Sequence, residues 1–125
     1  MEIYKLLMGG GADIEANDNE GATPLCRASY NNRISMCKFL VEMGADVNVE
    51  DGSQWTPLHY ASYRNNTEIC KYLVGVGADV NVGDCNDITP LWNASYWKNT
   101  ELCDFFIEMG ADVDNLCDNT ETFLY

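Results

Sequence analysis

Apolar and small residues recur at helical spacing in two kinds of segment that alternate along the chain. In the first kind, Leu25, Ala28 and Ser29 share one helix face, and Leu58, Ala61, Ser62 and Leu91, Ala94, Ser95 copy it. Ala and Ser on that face let a second helix approach closely. A Thr-Pro pair opens each copy at Thr23, Thr56 and Thr89. Thr is a good N-cap, and Pro at the first helical position lacks only an N–H that would be orphaned anyway. The second kind is represented by Met36, Cys37, Phe39, Leu40 and Val41 and their copies, whose apolar spacing predicts the second helix of each unit. Gly44, Gly77 and Gly110 are expected to stop these helices as left-handed caps. Asp and Asn clusters beyond each stop read as turn-forming loops.

Both kinds of segment keep one period. Thr23-Pro24-Leu25, Thr56-Pro57-Leu58 and Thr89-Pro90-Leu91 lie 33 residues apart. Gly11-Ala12-Asp13, Gly44-Ala45-Asp46, Gly77-Ala78-Asp79 and Gly110-Ala111-Asp112 keep the same step. Two motifs locked to one period mean a single supersecondary unit, repeated and stacked. The segment from Trp55 to Asn81 carries Thr56-Pro57-Leu58-His59 and Gly77-Ala78-Asp79-Val80-Asn81, and it resembles the ankyrin repeat family. The resemblance implies an all-α solenoid of stacked helix pairs with projecting β-hairpin loops. It extends from Glu2 to about Leu124 as one domain, residues 1–125. Repeats are expected at 19–51, 52–84 and 85–117, with a partial repeat at 1–18 and the start of another at 118–125.

Several positions depart from the family pattern. Cys26 and Trp92 occupy the place of the usual His. Gly21 holds the hairpin glycine position, but Gln54, Asp87 and Thr120 follow it there. Asn32, Asn65 and Lys98 stand at the interhelical glycine position. Asn tolerates a left-handed backbone and Lys does so poorly, so the turn at Lys98 is expected to be the strained one. The segment Glu2–Met8 matches a second helix without its first, and Thr122–Tyr125 opens a further unit. Neither end shows a polar cap of the kind repeat stacks rely on. The chain is therefore expected to be a piece of a longer array, or to have ends that fray or self-associate end to end.

Composition narrows the function classes. A net charge of −13, from 20 acidic and 7 basic residues, opposes binding to nucleic-acid phosphates and anionic membranes, which requires clustered Lys and Arg. No apolar run is long enough for a transmembrane helix. Cys37, Cys70 and Cys103 share one repeat position. Helices packed about 8–10 Å apart hold such residues beyond disulfide reach. Buried free thiols are expected there, and Cys26, Cys85 and Cys117 have no partner by this phasing. Free thiols place the protein in the cytoplasm or nucleus. No cofactor or metal site is expected, because paired cysteine ligands are missing and Gly9-Gly10-Gly11 follows a helix without the Lys-Ser/Thr of a phosphate loop. Cys26 lies one unit from the sole histidine, His59, too far for a Cys–His dyad by the stacking distance, and the chain is not expected to be an enzyme. The resemblance gives His59 a structural role, bonding the loops.

A protein or peptide partner is the better-supported ligand. The first-helix face opposite Leu-Ala-Ser reads Arg27, Tyr30, Asn31, then Tyr60, Tyr63, Arg64, then Asn93, Tyr96, Trp97. The resemblance makes this face the inner groove, continued by hairpin tips that include Ala22, Trp55 and Ile88. Tyr, Trp and Arg are the residues that most often dominate interface energy. The candidate binding residues are Arg27, Tyr30, Trp55, Tyr60, Tyr63, Arg64, Ile88, Tyr96 and Trp97. The alternative is a packing ladder, with Tyr30, Tyr63 and Tyr96 stacked on one another across units. Glu42, Glu68, Glu101, Asp104 and Glu108 face the other way and read as a solvated surface. The resemblance also suggests Asn48 and Asn81 for asparaginyl hydroxylation, against a simpler role in shaping the loops. Three functions fit: an interaction module, the substrate-recognition array of a ubiquitin ligase (fem-1-like, from the Ala-Ser-Tyr and Lys-Tyr-Leu-Val wording), or a spacer within a longer solenoid.

Overall fold

A computed structural model of the chain describes residues 14–113. The readings at Glu2–Met8, Gly9–Gly11, Cys117, Thr120 and Thr122–Tyr125 lie outside the described residues. Among the described residues there are six helices and no strands. They form three pairs: α1 Pro24–Tyr30 with α2 Ile34–Glu42, α3 Pro57–Tyr63 with α4 Thr67–Gly75, and α5 Pro90–Tyr96 with α6 Thr100–Glu108.

Each short first helix begins as the Thr-Pro pairs predict. The hydroxyls of Thr23, Thr56 and Thr89 accept the backbone N–H three residues on, from Cys26, His59 and Trp92. Leu25, Leu58 and Leu91 are sealed from solvent, and so are Ala61 and Ala94. The first helices pack directly on each other along the stack, α1 on α3 and α3 on α5. The serines of this face are also buried, which would be costly for unpaired hydroxyls. Ser29 and Ser95 donate to the carbonyls of Leu25 and Leu91 at 2.8 and 2.9 Å. Ser62 donates to His59 O and accepts from the Asn93 amide at 3.1 Å. Asn93 is thus buried, although its helix position assigned it to the open face.

Gly44, Gly77 and Gly110 take positive φ of 99°, 111° and 103°. Each following Ala sends its N–H back to the helix, Ala45 to Leu40 O, Ala78 to Leu73 O and Ala111 to Phe106 O. Together with the glycine N–H bonds to Val41, Val74 and Ile107, these are Schellman caps. The Asp N–H then ties one unit to the unit before it. Asp79 donates to Asn48 Oδ1 at 2.8 Å and Asp112 to Asn81 Oδ1 at 2.7 Å. Glu15 fills the equivalent place for Asp46. Asn48 and Asn81 also donate to Gly77 O and Gly110 O, so both ends of each amide are engaged in holding the stack.

Asn32, Asn65 and Lys98 all adopt left-handed backbone, with φ of 59°, 61° and 57°. Lys98 is the residue among them that gains least from that conformation. Cys37, Cys70 and Cys103 are buried free thiols, as is Cys26, while Cys85 is exposed. Burial pushes all four buried thiols above the ordinary cysteine range, which disfavours the reactive thiolate.

A candidate protein-binding groove

The projecting loops are built on three aspartates in one repeat position, Asp18, Asp51 and Asp84. In each loop the backbone closes a hairpin pair: Asp18 N–H donates to Ala22 O and Gly21 N–H to Asp18 O, with the same bonds at 51–55 and 84–88. The residue before the closing position is left-handed: Gly21, Gln54 or Asp87. This is a three-residue hairpin turn with a glycine-type bulge, formed even where the glycine is replaced. The side chains lock it. Asp51 Oδ1 accepts from Ser53 and Trp55 N–H at 2.8 and 2.9 Å, and Asp84 Oδ1 from Asn86 and Ile88 N–H at 2.8 and 2.9 Å. Ala22, Trp55 and Ile88 therefore sit at the loop bases, not at the tips as their loop positions suggested. Successive loops are joined by Gly52 N–H to Glu20 O and Cys85 N–H to Ser53 O. Gly21 has no room for a side chain, since an added Cβ would lie 3.0 Å from Gly52 N.

His59 links its helix cap to the next loop. Its Nδ1 accepts from the Thr56 N–H at 3.1 Å, and Nε2 lies 2.8 Å from Ile88 O. A carbonyl needs a donor and an N–H needs an acceptor, so the ring is neutral with its proton on Nε2. The ring is fully buried. Burial pushes its pKa below 6.5, against the opposing pull of the Ile88 carbonyl and the Asp84 and Asp51 carboxylates. The unfolded chain gains a proton here as pH falls through about 6.5, while the folded chain resists it. Stability is then complete above that value and falls as pH drops toward the depressed folded pKa, by up to about 1.4 kcal/mol per pH unit. Urea unfolding at pH 7.0 and 5.5 should show a greater loss of stability in the parent chain than in His59→Gln. Equal losses would remove His59 as the cause.

The nine candidate binding residues separate into groups. Tyr30, Tyr63, Arg64, Tyr96 and Trp97 line one cleft of about 560 Å³ across the first helices. Tyr63, Tyr96 and Trp97 are 49, 65 and 47 % exposed, high values for such large rings. Trp55 and Tyr60 line a second cleft of about 420 Å³ between loops, together with Glu20, Asp51 and Asp84. Tyr60 donates to Asp51, and burial with that carboxylate pushes its pKa up. Arg27 ion-pairs with Asp18, outside the larger cleft. Ile88 is half-buried and engaged through its backbone with His59 and Asp84.

The three tyrosines of the proposed ladder pair with different rings. Tyr30 meets the edge of Tyr60 at 6.1 Å, Tyr63 tilts against Trp55 at 5.2 Å, and Tyr96 stacks on Trp92 at 5.8 Å. Trp55 Nε1 donates to Asp84 Oδ2 at 2.8 Å, and Trp97 Nε1 donates to Tyr63 O at 2.8 Å. The rings are thereby fixed across units while keeping exposed faces.

Trp92 also lines the larger cleft and was missed as a binding candidate. The signal lay in its size. Its repeat position is a fully buried slot that holds the Cys26 thiol and the His59 imidazole. An indole is too large for that slot, and Trp92 remains half-buried with its ring against Tyr96. Asp51 and Asp84 were missed because acidic loop residues at one period look like ordinary turn formers.

Among the described residues, no helix is long and apolar enough to cross a membrane, and no three His, Cys, Asp or Glu side chains are grouped to hold a metal. A search among curated proteins gives no match. Two family models do match, "Ankyrin repeats (3 copies)" over residues 1–84 and "Ankyrin repeat" over residues 86–119. Such repeats are generally protein–protein interaction modules and typically non-catalytic. With its 33-residue period, paired helices and linked hairpin loops, the chain belongs to the ankyrin repeat family.

Proposed function

We propose that this chain binds a protein or peptide partner in the groove formed by its first helices, with Tyr30, Tyr63, Arg64, Tyr96 and Trp97 at the centre. The observation that carries the reading is the cleft itself. Five large side chains from three successive repeats converge on it, and none is needed to fill the Leu-Ala-Ser core. Aromatic rings offer large contact area with little side-chain entropy to lose, and several here are already held by ring contacts. Trp55 and Tyr60 extend the surface toward the loops, flanked by Arg27 and Ile88. The buried free thiols support residence in a reducing compartment, the cytoplasm or nucleus.

Arg64→Ala combined with Trp97→Ala is expected to weaken partner capture at least tenfold, the effect of losing one interface hot spot of about 2 kcal/mol or more. The helical circular dichroism should persist. The melting temperature should fall only modestly, because the exposed Trp97–Tyr63 hydrogen bond is worth about 1 kcal/mol. Glu68→Ala with Glu101→Ala, on the solvated face, should leave capture intact. Quantitative pull-down of parent and both variants decides between the readings. Ubiquitin-ligase components among the groove-dependent partners would favour a substrate-recognition array. Capture lost only with the glutamate pair would move the interface to the other face, and no groove-dependent partner would favour a spacer segment.

A further inference from the structure

We infer that the larger cleft selects an acidic side chain, next to an aromatic or aliphatic one, of the partner. The inference rests on the groove reading above and specifies its ligand. Charge is the first ground. In a chain with 20 acidic and 7 basic residues, the single charged side chain lining this cleft is positive, that of Arg64.

The state of that guanidinium is the second ground. Arg64 lies over the ring of Tyr30, 4.5 Å from its centroid. Stacking on an aromatic face leaves the in-plane N–H edge of a guanidinium available, and that edge matches a carboxylate in a two-point contact. The salt bridges among the described residues engage Arg27 with Asp18 and Lys71 with Glu101, and Arg64 is in neither. Its side chain is exposed at the end of α3, held in orientation by the ring yet without a carboxylate within ion-pair distance among the described residues.

Two other polar groups of the cleft are already engaged. Trp97 Nε1 is used by Tyr63 O, and the Asn93 amide nitrogen by Ser62 Oγ. What the cleft offers a ligand is aromatic surface with the neutral polar groups of its tyrosines and Trp92, and one cationic edge, that of Arg64. A volume of about 560 Å³ accommodates an apolar side chain with an acidic neighbour. The net charge of −13 also bears on the choice. Repulsion from the remote acidic residues is screened beyond about 8 Å at physiological salt. A single carboxylate in contact with Arg64 meets less of that field than a doubly charged phosphate would.

Selection from a random dodecapeptide library on the immobilised full chain tests this. Parent protein should enrich Asp or Glu at one position beside an aromatic or aliphatic residue by at least tenfold over the input. Arg64→Gln should lose the acidic preference while still enriching the apolar neighbour. Arg64→Glu should replace the preference with Lys or Arg, and Arg64→Lys should retain it in weakened form. Peptides that depend on the groove, shown by their loss in Trp97→Ala, but carry no acidic preference would overturn the inference alone. So would an acidic preference that survives Arg64→Gln. Selected peptides that bind Trp97→Ala as well as the parent would overturn the groove reading and this inference together.

Discussion

Leu58→Ala is expected to destabilise the protein by about 2–5 kcal/mol, the range for emptying a leucine site in a packed core. Leu58 has no solvent exposure and sits on α3, the middle first helix, between α1 and α5. Removing its isobutyl group withdraws apolar contact from the unit on either side. A stack of few repeats draws its stability from such interfaces. A loss of this size is comparable to the whole stability of a small domain, about 5–15 kcal/mol. Urea titration followed by circular dichroism should show the midpoint falling steeply, or the chain partly unfolded without denaturant. Glu68→Ala, an exposed change one helix away, should stay within about 0.5 kcal/mol of the parent. A midpoint for Leu58→Ala equal to that of Glu68→Ala would show that the first-helix face does not form the core.

Asp84→Ala is the second large effect, expected at about 2–4 kcal/mol, since it removes three part-buried hydrogen bonds to a charged group, and such bonds contribute about 1.5–3 kcal/mol where well formed. Asp84 is buried, and three donors converge on it: the N–H groups of Asn86 and Ile88 on Oδ1 and Trp55 Nε1 on Oδ2. One residue thus holds its own loop and clasps the preceding unit. Asp84→Asn separates the two roles. Its amide oxygen still accepts the loop N–H groups, while its NH₂ meets the Trp55 N–H donor to donor. This milder variant should retain the loop and lose the clasp. In a Trp55→Phe background the donor is gone, so Asp84→Asn should cost at least about 0.5 kcal/mol less there, the coupling expected of residues in direct contact. Additive effects of the two substitutions would show that the indole–carboxylate bond contributes nothing to the stack.

The local rules were sufficient for much of the architecture. Thr-Pro places a helix start because capping and a fixed φ act within three residues. Gly-Ala-Asp places a helix end because only the backbone conformation of the glycine and the N–H groups of the glycine and the alanine are involved. Repetition then magnifies weak signals, since Leu25, Leu58 and Leu91 report the same burial three times. The His59 position was legible from family resemblance, and its two bonds agree with the role that resemblance implied.

Tertiary structure decided what happens where one unit touches the next. Asn93 and Tyr60 share a repeat position, yet Asn93 turns inward to Ser62 and Tyr60 reaches Asp51. Trp55 and Ile88 close the loops rather than crown them, because the Asp side chains wind the backbone into tight hairpin pairs. The three tyrosines at one period find three different ring partners, since their neighbours differ from unit to unit. Sequence by itself determined the period, the helices and the core, because these follow from backbone geometry and burial repeated in every unit. Only the folded stack decided the cleft, because it is lined by side chains from three units and rests on contacts such as Trp97 Nε1 to Tyr63 O and Arg64 over Tyr30, which join residues 34 positions apart.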